Sequence, residues 1–110
     1  MEALQWAWKL AGAVKLEGPL ACRAIFYLSR PASHFGTGRN AGQLKASAPR
    51  FPTGKPDVDN LLKIIDALTG LAYHDDAQVV QVMDLAKRYA DDELGPRTFL
   101  ELWPWRPPLA

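Results

Sequence analysis

Two acidic pairs flanking a single amphipathic helix constrain this chain more than anything else in it. The stretch Lys55–Val80 reads KPDVDNLLKIIDALTGLAYHDDAQVV. Asp57 and Asp59 are two residues apart. On extended backbone side chains alternate with period 2, so both carboxylates point the same way. Val58, Leu61, Leu62, Ile65 and Leu68 then follow the i, i+3, i+4, i+7 stripe of a buried helical face. Asp57 or Asp59 can cap the first turn, and Gly70 suits the position just past the helix end. Asp75 and Asp76 come after the helix and open a strand. A unit of this kind brings three or four carboxylates to one point in a small α/β domain. Carboxylates gathered without partners repel, so such a cluster needs a cation. An all-oxygen ligand set favours Mg²⁺ or Mn²⁺ over zinc.

The opposite face of the predicted helix carries Asp59, Lys63 and Asp66 at i, i+4 and i+7. Lys63 therefore projects on the side of the acidic cluster. Its plain reading is a surface pair with Asp59, worth about 0.3–0.5 kcal/mol. Beside three carboxylates and a metal, a lysine is instead placed to hold a phosphate.

The sequence PDVDNLLKIIDALTG followed by YHDDAQVV closely resembles the RusA-type Holliday junction resolvases, endonucleases of bacteria and their prophages. The likeness is strongest over Pro56–Val80. It extends more loosely from about Leu20 to Leu102, through RPASHFGTGRN, LKASAPRFPTGKP and the run ending in Lys87-Arg88-Tyr89. The resemblance implies that Asp57, Asp59 and Asp76 are metal ligands and that Lys63 is the essential lysine. Asp75 is then an auxiliary ligand, and Asn60 orients a carboxylate or caps the helix. It implies a homodimer whose two-fold axis suits a four-way junction, and Mg²⁺-dependent hydrolysis of DNA phosphodiesters in recombination and repair. Members of the family open with a strand and a polar loop before the first helix. This chain is read as opening directly in the helix, so that strand is expected to be absent.

With 110 residues, the chain fits a single domain over 1–110 with one core. One cysteine, Cys22, excludes a disulfide framework and a cysteine-rich zinc site. In its apolar strand it reads as a small buried hydrophobe. No apolar run approaches membrane-spanning length, and Met1–Val14 lacks the features of a signal peptide, so a cytoplasmic protein with no membrane partner is expected. The net charge of +1 hides an uneven distribution. The loop Ser29–Pro56 holds Arg30, Arg39, Lys45, Arg50 and Lys55 and no acid, which sets a basic loop beside an acidic site.

In order, Met1–Val14 reads as a helix with Leu4, Ala7, Trp8 and Ala11 on its apolar face. Leu20–Leu28 is the clearest strand, with Leu20, Cys22, Ala24, Phe26 and Leu28 on one side. The 28-residue loop 29–56, with four prolines and four glycines, is long enough to be functional or disordered. Its plain reading is a solvated loop; beside carboxylates it becomes a phosphate-contacting one. His34 is the single acid/base candidate there, and surface placement is its plain reading. His74 is read as a neighbour of the acidic site, not a ligand. Gln78–Tyr89 reads as a long central strand, covered on both faces early on. Lys87 and Arg88 at its end are exposed cations by default and DNA contacts if that end faces the substrate. Ala90–Pro96 is an acidic turn, and Arg97–Trp103 reads as a hairpin partner strand with Leu100 and Leu102 against the core. Trp103 and Trp105, at the start of the proline-rich tail 104–110, point to an interface.

The expected fold is α+β: a small mixed sheet with two helices packed on it. The expected activity is a metal-dependent endodeoxyribonuclease acting on four-way junctions. The rivals are a junction-binding protein of the same fold that does not cut and a structural metal-binding module, which leaves the basic loop without a role.

Overall fold

The computed structural model describes residues 14–107, without the side chains of Leu61, Leu62, Ile64 and Ile65. The predicted helix over Met1–Val14 lies, all but Val14, outside the described residues.

Among the described residues three strands form one mixed sheet in the order β2-β1-β3. Strand β1 (Leu20–Leu28) has the predicted bounds. It pairs in parallel with β2 (Val79–Tyr89) and antiparallel with β3 (Arg97–Pro104). A parallel pair needs a crossover, not a tight turn. Here the crossover is the whole segment between β1 and β2: the long loop, the helix and the acidic turn. This lays the helix against one face of the sheet.

The core forms where the end of the helix meets the start of β1. Leu20 and Cys22 from β1 are fully buried with Leu68, Ala72 and Tyr73, and Leu16, Val79, Leu100 and Leu102 pack around them. The predicted contact of Leu100 and Leu102 with the core is thus present. Burial raises the Cys22 thiol pKa, which leaves it an inert hydrophobe. It also pushes the Tyr73 phenol up to about 12.

Three expectations are corrected. First, the described residues contain one short α-helix, α1 (Val58–Leu62), which tightens into a 3₁₀ segment over Lys63–Leu68. Of the predicted buried stripe, Leu68 is fully buried and Val58 half-buried; Leu61, Leu62 and Ile65 lie outside the described side chains. Gly70 does take a positive φ, 89°, at the end of the segment. Second, among the described strands β2 lies at the edge of the sheet and not at its centre, and Val80, Val82 and Met83 are exposed. Third, β3 pairs with β1 and not with β2, so the two are no hairpin. No residue of β1 is exposed, so it needs a neighbour on each side, and that demand outweighs sequence adjacency.

The acidic turn 90–96 is closed by two arginine–carboxylate forks. Arg97 donates to both oxygens of Asp92 at 2.8 Å. Arg30 donates to both oxygens of Asp91 at 2.6 and 2.9 Å. The hydrogen bond from Arg30 holds the Asp91 carboxyl below the usual carboxylate range, and Arg97 does the same to Asp92. A carboxylate with a depressed folded pKa stabilises the fold above its unfolded value of about 3.9. That contribution is lost as pH falls through the lower folded value. Thermal unfolding followed from about pH 6 to about pH 2 should therefore show a shallower acid loss for Asp91→Asn than for the unaltered chain. Identical acid slopes would remove the Arg30–Asp91 pair from the fold's stability.

Candidate active site

The two acidic pairs are presented by different devices. Asp57 and Asp59 flank the first residue of α1 and are exposed. Pro56 before them biases Lys55 to extended backbone, so the helix starts only after the proline. Asp75 and Asp76 sit in a short turn before β2. There Asp75 caps the 3₁₀ turn Asp76–Gln78: its carboxylate accepts from Ala77 N at 2.9 Å, and the Gln78 side chain accepts from Asp75 N at 3.0 Å. The Gln78 amide also donates to the Leu16 and Gly18 carbonyls, which ties the turn to the chain entering β1. The Ala77 hydrogen bond lowers the Asp75 pKa. Asp75 is therefore committed to building the turn.

Asp76 points elsewhere. The neighbouring carboxyl of Asp66, and after it that of Asp75, raises the Asp76 pKa. A like charge nearby disfavours the ionised form. Asp66 is the residue that sequence reasoning passed over. Its signal was present, because it lies on the same polar helical face as Asp59 and Lys63.

The sheet's topology keeps the two acidic pairs apart. Pro56 O accepts a hydrogen bond from Lys87 near the end of β2. Asp76 instead lies three residues before Val79, the first residue of β2. From Val79 to Lys87 is roughly 26 Å of extended strand. The helix runs back along the sheet, its end at Leu68 packed near Leu20. The donor chemistry, carboxylate oxygens alone, suits a hard divalent ion. The positions do not suit one: among the described residues no group of three or more His, Cys, Asp and Glu side chains is arranged to hold a metal. Asp57 and Asp59 are not brought together with Asp76.

Lys63 is exposed and forms no ion pair among the described residues. The expected surface pair with Asp59 is thus absent. The α-helix ends between them, and a 3₁₀ segment eclipses i and i+3 instead of aligning i and i+4.

The basic loop divides into anchored and free cations. Arg30 has a side chain only 5% exposed. Besides Asp91 it donates to Pro49 O at 2.8 Å, approaches His34 Nδ1 at 3.2 Å and stacks 4.0 Å from the Tyr89 ring centre. His34 meets the same ring edge-on at 5.3 Å. Arg30 and His34 are therefore loop anchors. Arg50 and Arg88 both lie over Phe51, at 5.3 and 5.2 Å. Lys87 binds main-chain carbonyls of the loop. Arg39, Lys45 and Lys55 are exposed, with no side-chain partner among the described residues. Around Arg39 and Lys45 the loop folds on itself, leaving a cavity of about 460 Å³ lined by Thr37, Asn40, Gln43 and Lys45. His74 turns its imidazole to Glu17, 2.7 Å away, as a neighbour of the site.

The described residues form a small mixed-sheet α+β domain with carboxylates on its crossover and exposed cations on its loop. The family model of the endodeoxyribonuclease RusA matches residues 1–102, and the chain belongs to that family. It is also 35% identical over 78 residues to the uncharacterized protein YqaN of Bacillus subtilis (strain 168), a match covering 70% of this chain and 54% of YqaN. The chain thus spans about half the length of that relative. No solved structure matches. Among the described residues no helix is long and apolar enough to cross a membrane.

Proposed function

We propose that this protein is a structure-specific DNA endonuclease that resolves four-way junctions by phosphodiester hydrolysis, acting as a homodimer in the cytoplasm during recombination and repair. The observation that carries the reading is the family match over residues 1–102, with Asp57, Asp59, Lys63 and Asp76 all inside the matched span. Asp57, Asp59 and Asp76 are its essential carboxylates. The all-oxygen donor set favours Mg²⁺, or Mn²⁺ in its place, and dependence on that ion is part of the proposal that the assay below tests. Lys63 pairs with the scissile phosphate, where charge added in the transition state makes a cation most effective. Arg39, Lys45 and Lys55 carry the electrostatic contact with DNA.

A second reading, a junction-binding protein that does not cut, draws on the separation of Asp57 and Asp59 from Asp76. A nicking assay on a synthetic four-way junction, with and without Mg²⁺, distinguishes the two. Cleavage that needs Mg²⁺ supports the endonuclease; tight binding without cleavage selects the second reading.

The free cations give this proposal a second handle. Replacing Arg39 and Lys45 together by Ala is expected to weaken junction binding and flatten its salt dependence. The log–log slope falls by about 0.9 for each phosphate that is no longer neutralised. An unchanged slope would move the DNA surface to another part of the protein.

A further inference from the structure

We infer that Lys87 is a positioning residue that clamps the end of the long loop to β2 and so fixes where Asp57 and Asp59 stand; the inference rests on the endonuclease reading above. Lys87 is half-buried near the end of β2. Its Nζ donates to Gly54 O at 2.5 Å and to Pro56 O at 3.1 Å. Pro56 immediately precedes Asp57. An ammonium is a donor only, with three N–H groups, and two of them go to carbonyls that bracket Lys55. A surface cation meeting DNA keeps its donors for phosphate oxygens; this one uses them on its own chain.

Little else holds that segment. From Arg50 to Pro56 no backbone–backbone hydrogen bond forms among the described residues, and Pro52 and Pro56 have no N–H to offer. The front of the segment is held by the stacking of Arg50 and Arg88 on Phe51 and by the burial of Pro52. Its end, residues 53–56, is exposed. A cleft of about 330 Å³ lined by Leu28, Pro31, Pro56 and Tyr89 lies beside it, so packing does not fix it. The two Lys87 hydrogen bonds do. Because they fall at the last residue before the carboxylate motif, they set the path on which the chain enters α1. Displacing a working group by about 1 Å can cost on the order of 10²-fold in rate, so a clamp at this position acts on the chemistry without touching the substrate.

The test is Lys87→Met, which keeps the apolar stem and removes the ammonium. It is read in three ways: ¹⁵N relaxation at Gly54, Lys55 and Asp57, equilibrium junction binding, and single-turnover cleavage at saturating enzyme. The expected result is a fall in backbone order at those three residues, from the rigid range near ~0.85 towards the flexible range below ~0.6. Junction affinity and its salt slope should stay unchanged, and the saturated rate should drop by about tenfold or more. Unchanged backbone order overturns the clamp whatever the activity. Weaker binding, a slope shallower by about 0.9 and an unchanged saturated rate overturn it in favour of a phosphate contact. If the unaltered chain does not cut junctions at all, the endonuclease reading fails, and with it the catalytic part of the inference. The relaxation result still decides whether Lys87 orders the loop.

Discussion

Asp59→Asn is expected to abolish junction cleavage while junction binding persists. The substitution preserves shape and removes charge, so it separates the carboxylate's chemistry from its volume. A residue acting as part of a catalytic unit takes most of the unit's effect with it when removed, and the expected loss in single-turnover rate is on the order of 10⁴. Binding should survive because the free cations of the loop, Arg39, Lys45 and Lys55, lie on another segment. Stability should survive as well. Asp59 is exposed and has no ion pair among the described residues, and surface substitutions of this kind usually stay within about 0.5 kcal/mol. Three readouts check this: single-turnover cleavage, junction affinity and thermal unfolding. Cleavage at the unaltered rate would remove Asp59 from the reaction. A marked fall in unfolding temperature would make it a structural residue.

The strands were legible because their patterns were nearly complete. In β1 every second side chain on one face is apolar, and the predicted bounds match the observed ones. Strands β2 and β3 start or end within one residue of expectation. Their arrangement was not legible. Periodicity reports which faces of a strand are apolar and not which strands lie beside it. The run Val79–Val80 with Val82 and Met83 therefore read as buried, although the strand lies at the edge among the described strands. The short acidic connection to Arg97 read as a hairpin for the same reason. The pairing partner is decided by β1, whose buried residues require a strand on each side.

At the site, residue types were legible and distances were not. The Asp57–Asp59 spacing identified two carboxylates, but their separation from Asp76 follows from the direction in which the helix returns along the sheet, and that direction is set by the parallel pairing of β1 and β2. The tightening at Lys63 was likewise hidden, because a regular apolar stripe suits both kinds of helix. Asp75 and Asp76 looked equivalent as a pair. The structure separates them: Asp75 caps its own turn, and Asp76 faces Asp66. Among the basic residues, composition counted Arg30 with Arg39. Only the fold shows that Asp91 and Tyr89 are brought against Arg30.

Lys63→Ala is the substitution that most cleanly tests the proposed chemistry. The plain alternative, a helix-surface partner for Asp59, requires an i, i+4 alignment that ends where the 3₁₀ segment begins at Lys63. With no ion pair to lose, the variant should unfold at nearly the same temperature as the unaltered chain, within the few tenths of a kcal/mol typical of an exposed pair. If its ammonium instead meets the scissile phosphate, the saturated single-turnover rate should fall by a factor on the order of 10² or more, the scale for removing one preorganised transition-state interaction. Lys63→Arg should rescue little of this, because a planar fork does not replace a compact ammonium. Working at saturating enzyme removes binding from the measurement, so a fall in rate reports on the reaction itself. A Lys63→Ala protein that cuts within about tenfold of the unaltered one would take Lys63 out of the mechanism. An exposed lysine left without an ion-pair partner, one helical turn beyond Asp59, is free to meet a phosphate, and the larger loss is the expected outcome.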